Sequence, residues 1–194
     1  MGDAAARSVE LPSGTVTFLL TDVESSTLLW QRFPDSMPAA IARHYELLDE
    51  VIVRHHGVRP VEQGEGDSVV AAFERASDAL AAALDAQHAI AAEPWPGGID
   101  LRVRIAVHTG ESLQRGGGNY VGSTIIRAAR IRSAGHGGQI LVSDAAAAVA
   151  GERLPSGAVL VDLGAHRLKD LAKPERIWGV VHPCLLYTSD AADE

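Results

Sequence analysis

The sequence predicts an α+β fold, an α/β sandwich in which helices flank a central, mainly antiparallel sheet. Three observations carry that expectation. Short apolar or alternating blocks bounded by turn residues have the pattern of strands. Two longer segments repeat apolar residues every three or four positions, as amphipathic helices do. The two kinds of segment then follow one another in the order β-α-α-β-β-α-β, which fits a ferredoxin-like βαββαβ core, with extra C-terminal strands to extend the sheet.

Each element has its own reason. "GTVTFLLTDV" reads as a buried strand: Val16, Phe18, Leu19 and Leu20 are apolar, Thr15 and Thr17 are β-formers, and a polar turn ends the run. A short helix is expected from Ser25 to Phe33. From Asp35 to His56, Met37, Ile41, Tyr45, Leu48, Ile52 and His55 form one apolar stripe, with Gly57 placed to stop it. A strand near 58–63, a glycine-acid turn and a strand over 68–73 should make a hairpin. "SDALAAALDAQHAIAAE" is the next helix, broken by "PWPGG". In "IDLRVRIAVHTG", Leu101, Val103, Ile105 and Val107 share one strand face. "GSTIIRAARIRSAG" is helical, "QILVS" a strand, "DAAAAVAGE" a helix, and "AVLVDL" and "RIWGVV" are closing strands.

Composition narrows the function classes. Of 194 residues, 46% are hydrophobic and 22% charged, enough apolar material for one core. Seventeen Lys and Arg against 25 Asp and Glu give a net charge of −8, which argues against a broad nucleic-acid surface. A single cysteine, Cys184, excludes an internal disulfide. Asp85, Gln87 and His88 interrupt the most membrane-like stretch, and "MGDAAARSVELPSG" lacks a signal-peptide core, so no membrane association and a cytoplasmic location are expected. Residues 1–13 read as a flexible segment and 14–183 as the folded domain. "CLLYTSDAADE", residues 184–194, shares neither periodicity nor composition with what precedes it and reads as a non-native tail.

Two acidic turns carry the chemistry. Asp22 follows the first strand, and Asp67 lies in "GEGDS" within the expected hairpin, whose strands neighbour the first in a split βαβ unit. Singly, Asp22 has the ordinary reading of a helix-capping or turn residue, and Glu65 and Asp67 that of solvated turn acids. Together, with no Arg or Lys in either segment, two carboxylates 4 Å apart would repel by about 4 kcal/mol at an effective dielectric of 20. A divalent cation removes that penalty, and hard oxygen donors suit Mg²⁺ or Mn²⁺. "VESST" after Asp22 offers amides and hydroxyls at a helix start, a cradle for phosphate.

These motifs resemble those of the class III nucleotide cyclase catalytic domain of the bacterial adenylate cyclase type. "TFLLTDVESST" (17–27) is similar to the family's first-strand signature, and "GDSVVAAF" (66–73) to its G-D-G-x-x-A-x-F hairpin, with Ser68 in place of the second glycine. "RVRIAVHTGE" resembles its R-V-G-I-H-T-G strand, and "LGAHRLKDLAKPERIWGV" its closing motif. The resemblance implies that Asp22 and Asp67, with the Val23 carbonyl, bind two Mg²⁺ or Mn²⁺ ions per site. Glu24, Ser25, Ser26 and Thr27 would line a triphosphate, and Lys169 would contact its outer phosphates. Gln63 and Asn119 fall where the family selects the purine. Two amides each offer donor and acceptor, which predicts ATP as substrate with tolerance of GTP. Arg130 falls on the transition-state arginine.

Ile126 stands where the family has a ribose-orienting asparagine. Loss of one transition-state hydrogen bond is expected to lower activity by about 10²–10³. His108, on an alternating strand, reads as a core or interface histidine rather than a base. The implied assembly is a head-to-tail homodimer whose sites take metal ligands from one chain and Arg130 from the other. The implied product is 3′,5′-cyclic AMP with pyrophosphate. A second reading is a weakened cyclase-like domain acting as a nucleotide-binding or dimerisation module, and members of this type are often fused to ATPase or DNA-binding regulatory modules.

Overall fold

The computed structural model describes residues 10–61, 66–116, 118–183 and 185. Strand β1 (Thr15–Val23) is buried along nearly its whole length because it pairs on both edges, with β2 (Val69–Phe73) on one side and β3 (Val103–Glu111) on the other, both antiparallel. Between β1 and β2 run α1 (Ser26–Arg32) and α2 (Met37–Arg54), and α3 (Ala76–Ala92) leads from β2 towards β3. After β3 come a small hairpin of β4 (Leu113–Arg115) and β5 (Asn119–Val121), then α4 (Ser123–Ser133), β6 (Ile140–Ser143), α5 (Asp144–Ala150), β7 (Val159–His166) and β8 (Glu175–Val181). The main sheet has the order β2-β1-β3-β6-β8-β7, and β3 with β6 is its parallel pair. The α+β architecture with a central sheet and flanking helices is the one the sequence predicts.

Period-two alternation decides which residue faces which helix. Leu19 and Val23 on β1, Val69, Ala71 and Phe73 on β2, and Val103, Ile105 and Val107 on β3 join α2, α3 and α5 in the larger core. Val16, Phe18 and Leu20 point the other way, towards Tyr120 and the α4 residue Ala128. Asp22 continues this even-numbered series. It therefore emerges on the α4 side of the sheet, just beyond the apolar core.

Among the described residues 58–61 of the strand expected near 58–63, there is one antiparallel bridge, with Val58 and Ala72 exchanging backbone hydrogen bonds of 2.9 and 2.8 Å. Pro60 lacks the N–H a strand needs, and the Val61 N–H turns instead to the Gly118 carbonyl at 3.0 Å. Residues 62–65 lie outside the described chain, Gln63 and Glu65 among them. Gly57 does follow α2, but the left-handed backbone is at His56 (φ 61°). Gly57 is required by contact, since a Cβ there would stand 2.5 Å from the Phe73 ring.

Candidate active site

The two acids meet. β1 runs past its last pairing with β2, Thr21 with Val69, and leaves the Val23 N–H unclaimed by the ladder. Asp67 takes it: Val23 N–H donates to Asp67 Oδ2 at 3.0 Å, so the turn before β2 folds over the end of β1. In an antiparallel strand a residue's N–H and C=O face the same neighbour, which puts the Val23 carbonyl on the Asp67 side. The turn is held from beneath by α2, where the Tyr45 hydroxyl donates to the Gly66 carbonyl and Gly66 adopts a positive φ of 69°. His44, on the same helix, is fully buried; burial pushes its pKa down against the pull of Asp67.

The two acidic segments contain no Arg or Lys of their own, but the fold brings two arginines to them from other elements. Arg104, directly opposite Asp22 in the β1–β3 register, grips it through both oxygens: Nε to Oδ1 at 2.9 Å and Nη2 to Oδ2 at 2.7 Å. Arg132 enters from α4. Its Nη1 donates to the Thr21 carbonyl at 3.0 Å and the Ser68 hydroxyl at 3.2 Å, and its Nε lies 3.6 Å from Asp22 Oδ2. Burial lowers the Arg132 pKa, whereas Asp22 and Asp67 raise it. The repulsion inferred from the acidic segments is thus offset by arginines from distant elements.

Sequence reasoning missed both arginines as members of the site. The signal for Arg104 lay in the strand alternation, as a charged position between Val103 and Ile105, but its partner is 82 residues away. Arg132 had no signal beyond its place two residues after Arg130.

The segment after Asp22 begins with Glu24, whose N–H donates to the Arg102 carbonyl at 2.9 Å and whose Oε1 accepts the Gly137 N–H at 2.8 Å. The Glu24 carboxylate is thereby used to tie this segment to the turn before β6. Ser25 caps α1 in the left-handed conformation (φ 54°), and its carbonyl accepts from Leu28 and Leu29. Ser26 and Thr27 sit in the first turn, whose N–H groups have no intrahelical partner.

Arg130 and Lys169 are less close to the acids in sequence but share a neighbourhood. Arg130 Nη2 donates to Asp170 Oδ2 at 2.6 Å, which sets it beside the "LKD" segment of Lys169. Lys169 is exposed. Asn119 is buried on β5, one residue from the Gly118 that receives Val61. Ile126 is half exposed on α4. His108 is buried with Nδ1 2.8 Å from Ser143 Oγ, and desolvation pushes its pKa down to about 4, with a smaller effect of Arg127. The Ser143 hydroxyl also accepts from Ala146 N–H as the α5 cap, so one side chain ties His108 to the start of α5.

The profile described as the adenylate and guanylate cyclase catalytic domain matches residues 9–169. The chain belongs to this family. Among curated relatives, an uncharacterised Mycobacterium tuberculosis protein is 49% identical over 172 residues, covering 89% of this chain and 58% of its own length. This cyclase-family chain therefore spans less than two thirds of that relative. An adenylate cyclase of Lachancea kluyveri is 31% identical over 156 residues, covering 68% of this chain and 8% of its own. Among solved structures, an adenylate cyclase from Trypanosoma brucei in its monomeric state superposes with a TM-score of 0.80 at 25% identity, covering 93% of this chain and 94% of that one. The cyclase family also accounts for the architecture, and among the described residues no helix is long and apolar enough to cross a membrane.

Proposed function

We propose that this domain converts ATP, with tolerance of GTP, to the 3′,5′-cyclic nucleotide and pyrophosphate in a head-to-tail homodimer. The observation that carries this reading is the Val23–Asp67 hydrogen bond, which brings Asp67 to the end of the strand that bears Asp22. The donor set fits Mg²⁺ or Mn²⁺: two carboxylates and a strand-end carbonyl at Val23 are hard oxygen ligands. Two such ions would increase the acidity of the ribose 3′-hydroxyl and offset charge on the departing pyrophosphate.

The chain's own groups do the rest. The first-turn amides and hydroxyls of Ser25, Ser26 and Thr27 bind the phosphates, with Glu24 fixing their backbone through Gly137. Arg104 exchanges the Asp22 carboxylate for a phosphate oxygen, keeping a charge-assisted partner throughout. Arg130 of the second copy stabilises charge on the reacting phosphate, and Lys169 contacts the outer phosphates. Gln63 and Asn119 read the purine edge, each amide offering both a donor and an acceptor. The 3′-oxygen forms a bond to the α-phosphorus as the bond to the pyrophosphate oxygen breaks, and the hydroxyl proton goes to solvent or phosphate. Leu113, Val121 and Ile126 expose apolar surface around Gly122 that a second copy would cover.

A second reading, a weakened cyclase-like regulatory module, is favoured by Ile126, which offers the ribose neither donor nor acceptor. Its fused partners would lie in the part of the longer relatives that this chain does not span. One assay separates the two. Protein incubated with Mn²⁺ and ATP or GTP should yield cyclic nucleotide and pyrophosphate. Asp22→Ala and Arg130→Ala, each inactive alone, should recover activity when mixed, because one hybrid site is then intact. Nucleotide binding without product would favour the regulatory module.

A further inference from the structure

Arg132 does something at this site that the proposed reaction does not use. It arises near the end of α4, on the face turned towards β1, and spans two segments: Nη1 donates to the Thr21 carbonyl on β1 and to Ser68 Oγ beside the Asp67 turn. Its Nε is buried with no hydrogen-bond partner among the described residues and faces Asp22 Oδ2 at 3.6 Å. The two carboxylates of Asp22 and Asp67 are thus matched by the two guanidiniums of Arg104 and Arg132.

The two arginines differ in their freedom to leave. Arg104 projects from β3 with its side chain 26% exposed, and among the described residues its hydrogen bonds go to Asp22, so it can swing to an incoming anion. Arg132 is committed to a backbone carbonyl and a buried serine, with its side chain only 16% exposed. A guanidinium does not lose its proton in such a setting, so its charge stays.

We infer that Arg132 is a positioning residue that governs how metal enters: it clasps the Asp22 strand end to the Asp67 turn and, as a fixed cation beside both carboxylates, disfavours a free divalent ion. Metal is then taken up together with the polyanionic nucleotide, whose charge repays the repulsion, rather than before it. The inference rests on the proposed metal role of Asp22 and Asp67, and its test separates the two.

The probe is Mn²⁺, followed by electron paramagnetic resonance, with and without a non-hydrolysable ATP analogue. The protein should bind Mn²⁺ weakly alone and at least about tenfold more tightly with the analogue. Arg132→Gln keeps donors for Thr21 and Ser68 but removes the charge, and should tighten Mn²⁺ binding without nucleotide by roughly tenfold or more. Arg132→Lys keeps the charge and should not. Equal Mn²⁺ affinity with and without the analogue in the unaltered protein overturns the inference whether or not any variant folds. Unchanged or weaker nucleotide-free binding in a folded Arg132→Gln protein overturns it as well. If Asp67→Asn leaves the analogue-dependent Mn²⁺ signal intact, the metal assignment itself fails; if Asp67→Asn removes it and Arg132→Gln does not tighten binding, the role of Arg132 alone fails.

Discussion

Asp22 and Asp67 are legible in the sequence because each ends a recognisable local pattern, an apolar strand in one case and a glycine-bracketed turn in the other. Arg104 and Arg132 belong to the same cluster yet are not legible, since what makes them members is register across a sheet and the placement of a helix on it. The acidic segments contain no cation, and the folded site contains two. Ile126 is where the residue scale makes its sharpest demand. At 51% exposure it lies outside the core, so Ile126→Asn should shift stability by no more than about 0.5 kcal/mol. Under the proposed function it should raise kcat by about 10²–10³, measured as cyclic nucleotide formed from Mn²⁺ and ATP. An unchanged rate with intact folding would remove the asparagine argument.

At the scale of elements, strong periodicity translated well: α2, α3, β1 and β3 lie close to where their apolar repeats place them. The shorter α1, β2, β6 and α5 also lie where the sequence places them, but two weakly patterned stretches do not follow the reading. In the described part of the strand expected near 58–63, residues 58–61, there is one bridge because Pro60 cannot donate and Val61 pairs elsewhere, while β4 and β5, three residues each among glycines, have too little pattern to be read. Gly57 shows a right residue with a different cause. It looks like a helix stop, yet its lack of a side chain is what lets α2 close against Phe73. Gly57→Ala should therefore cost about 1–3 kcal/mol, as overpacking does, read from urea unfolding. A helix-stop role alone, with φ negative at this position, would make alanine nearly neutral.

For the whole molecule, the described monomer is balanced against itself: Asp22 is held by Arg104, and Arg130 by Asp170. Turnover in the proposed dimer requires both pairs to exchange partners, which couples activity to assembly and nucleotide. Stability should depend on pH through the buried histidines. His108 titrates near 4 in the fold against 6.5 unfolded, so as pH falls below 6.5 the unfolded chain takes up the proton first. Stability is full above 6.5, declines between 6.5 and 4, and loses on the order of 3 kcal/mol from this group. His44, shifted in the same direction, adds to the slope. Unfolding midpoints from pH 7.5 to 4.5 should fall less steeply in His108→Gln than in the unaltered protein; parallel profiles would assign the acid sensitivity elsewhere.

The most direct measurement is cyclic nucleotide release from Mn²⁺ and ATP by the unaltered protein and by Asp22→Asn and Asp67→Asn, each shown to be folded by its thermal midpoint. The account predicts product from the first and loss of it in both variants, because the strand-end and turn carboxylates act as one cluster. Product at an undiminished rate from either folded variant would contradict it.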